Sequence, residues 1–283
     1  MYLDCHTHVF PEHRMGKLVR WIHRALPDHG VPLDTTPDQA VADLRRNGAV
    51  RWANLLFPVW PNEARSLHAW GAELAERYPE MTPFGGVRPD DDDPLGVVEE
   101  AIDGFGMAGL KFHPYVQGFV PWDERLAPVL DYLEAAGRPI YVHTGYELWY
   151  GETFDRAGLE GLLRDRPGLP VVLPHIGYPD FEWAFTLADR HPLVWLDVTN
   201  VAGSILLVDP DDPEHARQAD AFRSGLTRFH GRVMFGTDHP AGMGTVEEIL
   251  DHLDRFDVPA ADREALLMTT AATFFDRYGR PRP

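Results

Sequence analysis

Residues 2–8 read Tyr2-Leu3-Asp4-Cys5-His6-Thr7-His8: a short apolar lead-in that runs into two histidines spaced two apart. Side chains two apart on a β-strand point to the same face, so His6 and His8 can aim two imidazoles at one point. With 14 histidines in 283 residues, one His-x-His arises by chance and decides little. What decides is recurrence. Apolar runs end in chemistry again at Gly109-Leu-Lys-Phe-His-Pro114, Pro139-Ile-Tyr-Val-His-Thr-Gly145, Pro170-Val-Val-Leu-Pro-His-Ile-Gly177 and Arg232-Val-Met-Phe-Gly-Thr-Asp-His-Pro240.

Working outward, the chain reads as strands over 2–8, 52–59, 81–87, 109–113, 139–143, 170–175, 193–198 and 233–238. Most are followed by a helical pattern. Thr36-Pro37-Asp38-Gln39 opens one helix, with Thr as N-cap, Pro at the first helical position and an acid in the first turn. Residues 9–35 read as a connection too long for a plain loop, hence a lid or pocket wall, and a second long connection follows strand seven. Several strands are continuous apolar runs, as expected where both faces are buried. Eight βα repeats over 283 residues predict an α/β fold, a single (β/α)8 TIM-type barrel spanning residues 1–283. A doubly wound open sheet is the runner-up; no Gly-rich phosphate-binding motif follows strand one to favour it.

Composition narrows the function. Lys and Arg number 26 against 44 Asp and Glu, a formal charge of −18, which disfavours nucleic acid and anionic membrane as partners. A small-molecule substrate is expected, and a homo-oligomer is compatible with the sequence. Cys5 is the single cysteine, so no disulfide forms within the chain. No leader and no membrane-length apolar run is read, and a cytoplasmic location is expected.

In a barrel of this kind the strand C-termini share one face, and chemistry sits there. The candidate metal ligands are His6, His8, His143 and Asp238; the candidate catalytic groups are Asp238 and His175. Substrate contacts are assigned to Arg88 and Lys111 as cations, His113 as pocket wall or ligand, and the loop aromatics Tyr115, Tyr146 and Trp149. Trp60, Tyr150 and Tyr178 also follow strand ends, and the concentration of rings points to a planar or cyclic, partly apolar substrate. Lys111 keeps other readings: a buried cation paired with Asp4, or a carboxylated bridge between two metals.

These motifs together resemble the amidohydrolase superfamily, and Gly109 to Pro121 resembles its amidohydrolase-related group, which holds both decarboxylases and lactone hydrolases. The resemblance spans the chain. It implies a (β/α)8 barrel and a divalent metal, usually zinc, with His6, His8, His143 and Asp238 as ligands and His175 as the catalytic or substrate-polarising histidine. Two departures stand out. Some decarboxylases of the group carry Glu where His6 stands, and Ala265 to Phe275 lacks the Asn-Ala often found in the last helix.

Three imidazoles and a carboxylate suit one Zn²⁺ or a similar divalent ion. The expected reaction is hydrolysis of a lactone, amide or ester-like bond by metal-activated water, with Asp238 as base and then acid. The same apparatus serves a decarboxylase of an unsaturated or aromatic acid. A non-catalytic, metal-stabilised binding protein is the third reading, disfavoured because closed structural zinc sites are usually rich in Cys.

Overall fold

The computed structural model describes residues 1–279. Its elements in chain order are β1 (Tyr2–Thr7), α1 (Glu12–Ala25), α2 (Pro37–Arg46), β2 (Ala49–Leu55), α3 (Ala64–Arg77), β3 (Met81–Phe84), α4 (Pro94–Glu99), β4 (Leu110–Phe112), α5 (Pro114–Gln117), α6 (Ala127–Ala136), β5 (Ile140–Val142) and α7 (Glu147–Tyr150). Then come α8 (Arg156–Asp165), β6 (Val171–Pro174), α9 (Phe181–Arg190), β7 (Val194–Asp197), α10 (Val201–Leu206), α11 (Pro213–Arg228), β8 (Val233–Met234), α12 (Val246–Asp254), α13 (Ala260–Glu264) and α14 (Thr270–Tyr278). All eight expected strands are present, each followed by at least one helix.

Contacts gather the chain into two groups: Met1–Asn54 with Asp197–Thr273, and Leu55–Leu196 with the chain from Phe274. Each group takes two separate segments, so neither is a continuous stretch of sequence.

In the first group β1 and β2 run parallel, with Tyr2 opposite Ala49 and Thr7 opposite Asn54. On the other side of β1, Cys5 N–H donates to the Phe235 carbonyl at 2.9 Å and Asp238 N–H to the His6 carbonyl at 2.8 Å. Beyond β8, Val198 N–H donates to Met234 O at 3.1 Å. The strand expected over 233–238 stops at Met234 as regular structure. Hydrogen bonds to β1 continue past it, and Asp238 takes a left-handed φ of 60°. The core here centres on Tyr2, edge-on to Phe235 at 5.5 Å, and on buried Trp52.

The second group has hydrogen bonds of its own. Leu56 N–H donates to Phe84 O, and Lys111 N–H to Gly85 O at 2.8 Å. β4, β5 and β6 pair in parallel, Lys111 opposite Tyr141 and Tyr141 opposite Val172. β7 joins through Val171 N–H to Leu193 O at 3.1 Å. Gly109, which opens β4, is required by crowding: a Cβ there would stand 2.1 Å from the Pro139 carbonyl. Phe84, Tyr141, Phe274 and Trp195 form a chain of edge-to-face rings 5.0–6.0 Å apart.

The connection expected to be a lid over 9–35 is largely helix. Met15, Val19 and Ile22 recur at helical spacing and bury one face of α1. The second long connection likewise holds α10. The Thr36 N-cap forms as expected, with the reciprocal Gln39 side-chain bond that completes a capping box.

Candidate metal centre

Alternation along β1 puts His6 and His8 on one face, and the turn after β8 brings Asp238 to them. Their Nε2 atoms are 3.1 Å apart. Asp238 Oδ1 stands 3.1 Å from His8 Nε2 and 3.5 Å from His6 Nε2. All three residues are buried. Asp tolerates the left-handed backbone that aims its carboxylate back at the strand. Gly236 makes room, since a Cβ there would sit 2.2 Å from Thr199 Oγ1 and 2.7 Å from His6 Cβ.

Asp4, one layer below on β1, is fully buried and ties that strand to the segment after β8. Its carboxylate accepts from Thr237 Oγ1 at 2.6 Å and from the backbone N–H groups of Thr237 and His6 at 3.0 Å each. Burial pushes the Asp4 carboxyl up to about 7, against the pull of these hydrogen bonds.

Two residues that the sequence reading did not single out complete the site. Asp197, the last residue of β7, places Oδ2 2.6 Å from His6 Nδ1. Its other oxygen accepts from Thr199 N–H at 2.9 Å and from the Thr199 hydroxyl. The carboxylate keeps a proton on His6 Nδ1 and leaves the Nε2 lone pair facing His8 and Asp238. The available signal was an acid closing the apolar run Val194-Trp195-Leu196. Asn200 donates from Nδ2 to Asp238 Oδ2 at 2.8 Å.

The donor set fits a divalent ion. Zinc–ligand bonds of about 2.0–2.1 Å in a tetrahedron place ligand atoms roughly 3.3 Å apart. The observed separations of 3.1–3.5 Å bracket that value. Three acceptor atoms converging in a buried space repel one another unless a cation or protons lie between them.

His143 lies in the second group of the chain, with His113 and His175. The rings of His113 and His143 stack at 3.8 Å, and His143 Nδ1 is 3.3 Å from His175 Nε2. A turn with left-handed φ at His175 (63°) and Ile176 (42°) presents the His175 ring. For a β-branched residue such as Ile176 that conformation is strained, and strain of this kind collects at functional sites.

Aromatic side chains surround these imidazoles. The Tyr150 hydroxyl is 3.3 Å from His113 Nε2, Tyr115 stacks on Tyr150 at 4.6 Å, and Tyr146 lies edge-on to His175 at 5.1 Å. Burial pushes the Tyr115 phenol up, so it stays protonated. Trp149 is about half exposed, on α7.

The chain matches the Amidohydrolase family over residues 3–277. It belongs to that family. No curated protein matches it in sequence. Solved structures similar to this amidohydrolase include an uncharacterised TIM-barrel protein from Bordetella bronchiseptica, 18% identical, covering 99% of each chain, with a TM-score of 0.72. A probable 2-pyrone-4,6-dicarboxylic acid hydrolase from Acinetobacter baumannii is 13% identical over 97% of this chain and 99% of its own, with a TM-score of 0.68. A 5-carboxyvanillate decarboxylase from Novosphingobium aromaticivorans, in complex with manganese and a nitrobenzoic acid, is 16% identical over 97% of this chain and 96% of its own, with a TM-score of 0.63. At such identities the likeness carries the fold, which is the (β/α)8 barrel. The family is one of enzymes, hydrolases and decarboxylases among them.

Among the expected substrate contacts of this amidohydrolase, the two cations have different surroundings. Arg88 donates from Nε and one terminal nitrogen to Asp90, and from the other to the carbonyls of Val59 and Gln117. Four of its five N–H groups are thus spent bracing loops, because Asp90 lies two residues away and captures the fork. Lys111 is completely buried within β4. No helix among the described residues is long and apolar enough to cross a membrane.

Proposed function

We propose that this protein is a metal-dependent hydrolase that cleaves a lactone, amide or ester-like bond in a small cyclic or aromatic substrate. The observation that carries the reading is the meeting of His6, His8 and Asp238 ligand atoms within 3.1–3.5 Å. One Zn²⁺ per chain is the ion whose ligand preferences suit two imidazoles and a carboxylate. When bound, the ion supplies Lewis-acid polarisation of an acyl oxygen and lowers the pKa of a water toward about 7.

The chain's own residues do the rest. Asp197 holds His6 in the tautomer that offers Nε2. Asp238 accepts the proton of the attacking water and returns it to the leaving group. His143 as a further ligand, His175 as the polarising histidine, and Lys111, His113, Tyr115, Tyr146 and Trp149 as substrate contacts are carried by the sequence reading. The stacked rings of Tyr115 and Tyr150 support a planar substrate.

A decarboxylase needs a cation for the substrate carboxylate; Arg88 donates to Asp90 and to the Val59 and Gln117 carbonyls, which weighs for hydrolysis, and Lys111 is the other candidate cation. The second reading, a metal-dependent decarboxylase, is supported by the decarboxylases among the similar structures. A cytoplasmic enzyme acting on a small molecule, alone or as a homo-oligomer, completes the proposal.

The test is metal content of the purified protein by plasma mass spectrometry, with His6→Ala, Asp238→Asn and His143→Ala beside it, followed by panels of lactones and unsaturated acids. About one zinc per chain, lost in the variants, together with lactone turnover, is the expected result. Release of CO₂ from the acids with no lactone turnover replaces the first reading by the second. Native metal content in His6→Ala and Asp238→Asn rules out the site.

A further inference from the structure

The two oxygens of Asp238 have different neighbours. Oδ1 faces the imidazoles of His8 and His6, at 3.1 and 3.5 Å. Oδ2 accepts from Asn200 Nδ2 at 2.8 Å. The other end of the same amide is committed as well: Met243 N–H donates to Asn200 Oδ1 at 3.0 Å. A backbone N–H can only donate, so it must meet the amide oxygen. That fixes the orientation of the amide and turns its NH₂ group toward Asp238.

The backbone supports the arrangement. Asn200 has a left-handed φ of 65°, a conformation that Asn adopts more readily than most residues. Its carbonyl accepts from Ser204 N–H and from the Ser204 hydroxyl, both at 3.0 Å, which anchors it to α10. The segment after β8 is pressed against it: a Cβ on Gly242 would stand 2.2 Å from the Thr237 carbonyl and 3.3 Å from Asn200 Oδ1.

We infer that Asn200 is a positioning residue that holds Asp238 with a single oxygen toward the ligand cluster and links that carboxylate to the Gly242-Met243-Gly244 loop through one side-chain amide. The inference rests on the reading of His6, His8 and Asp238 as a metal site. The amide restrains rotation of the Asp238 carboxylate about its last bond, and its removal loosens which oxygen is offered to a cation. Nothing in the sequence marks this role, because Asn200 precedes a helix and reads as an ordinary turn residue.

The test uses cobalt(II) as the probe, read by its visible absorption and by competition with a chelator, on the full chain. Asn200→Gly removes the amide and accepts the left-handed backbone. Asn200→Asp keeps an acceptor for Met243 N–H and tolerates the same backbone, but replaces the NH₂ donor facing Asp238 by a second carboxyl. Asn200→Gly is expected to weaken cobalt affinity about tenfold or more, the usual loss when a group that orients a ligand is removed. Its absorption spectrum is expected to change, while the melting temperature of the metal-free protein stays close to native. Asn200→Asp is expected to keep that melting temperature and still lack the native spectrum. Should Asn200→Gly fail to fold, Asn200→Asp alone decides the matter.

Native affinity and spectrum in Asn200→Gly overturn the inference. Native behaviour restored in Asn200→Asp also overturns it, since anchoring Met243 would then be the residue's whole contribution. If the native protein takes up no cobalt, the metal-site reading falls first and the inference with it. A site that binds cobalt normally in both variants removes the inference alone.

Discussion

Asp197 Oδ2 and His6 Nδ1 are 2.6 Å apart, with both side chains fully buried. A carboxylate on the far nitrogen fixes the ring's tautomer and orientation and raises its basicity toward a cation. Asp197→Asn keeps the shape but makes the contact depend on which end of the amide faces the ring. Metal affinity, measured by chelator competition, is expected to fall 10- to 100-fold with little change in the fold. An unchanged affinity removes Asp197 from the site.

Gly236 lies directly against His6 and Thr199. In Gly236→Ala the added methyl meets Thr199 Oγ1 at 2.2 Å and His6 Cβ at 2.7 Å. Neither neighbour is the far end of a flexible chain, so the backbone must shift. Overpacking of this kind costs about 1–3 kcal/mol. Urea denaturation is expected to show that loss, together with reduced metal content because His6 is displaced. Pairing it with Thr199→Ala should recover only the part due to Thr199.

His68 gives a pH dependence unconnected with metal. Burial pushes it down to about 4, against the Gly86 carbonyl that accepts from its ring. An unfolded histidine titrates near 6.5, so between pH 6.5 and 4 the unfolded chain binds the extra proton. Stability from this group is therefore complete above about pH 6.5 and drains away as pH falls toward 4, with roughly 2 kcal/mol gone by pH 5. His68→Asn is expected to show a flatter loss of denaturation free energy between pH 7 and pH 5. Parallel curves for the two proteins would assign the acid sensitivity to other groups.

Tyr150 reaches His113 Nε2 with its hydroxyl at 3.3 Å and stacks on Tyr115. Tyr150→Phe keeps the stack and deletes the hydroxyl. Because Tyr150 is only half-buried, the expected stability change is within about 1 kcal/mol. If the aromatic cluster lines the substrate pocket as proposed, the Michaelis constant changes by several-fold while metal content does not. A variant kinetically identical to the native enzyme takes Tyr150 out of the pocket.

Much of this was legible in residue order because it rests on local periodicity. Apolar runs give strands, Thr36-Pro37 gives a capped helix start, and the spacing of His6 and His8 puts both rings on one face whatever surrounds them. The strand-end residues were legible for the same reason, since a titratable side chain closing an apolar run is conspicuous. Local reading also had limits. The helix within residues 9–35 is hard to read locally because charged neighbours mask the spacing of Met15, Val19 and Ile22.

Tertiary structure decided which of those side chains meet and which are already spent. Asp238 faces His6 and His8 because a left-handed turn after β8 carries it there, and no periodicity encodes that turn. Asp197 and Asn200 became site residues through hydrogen bonds to partners 191 and 38 positions away in the chain. Arg88, a cation that follows a strand, donates to Asp90 and to two carbonyls, partners that residue order alone does not reveal. Sequence fixes which groups lie at the ends of strands, because that follows from the backbone's own repeat. Whether each group has lone pairs or protons left for a ligand depends on neighbours that only the folded chain brings together.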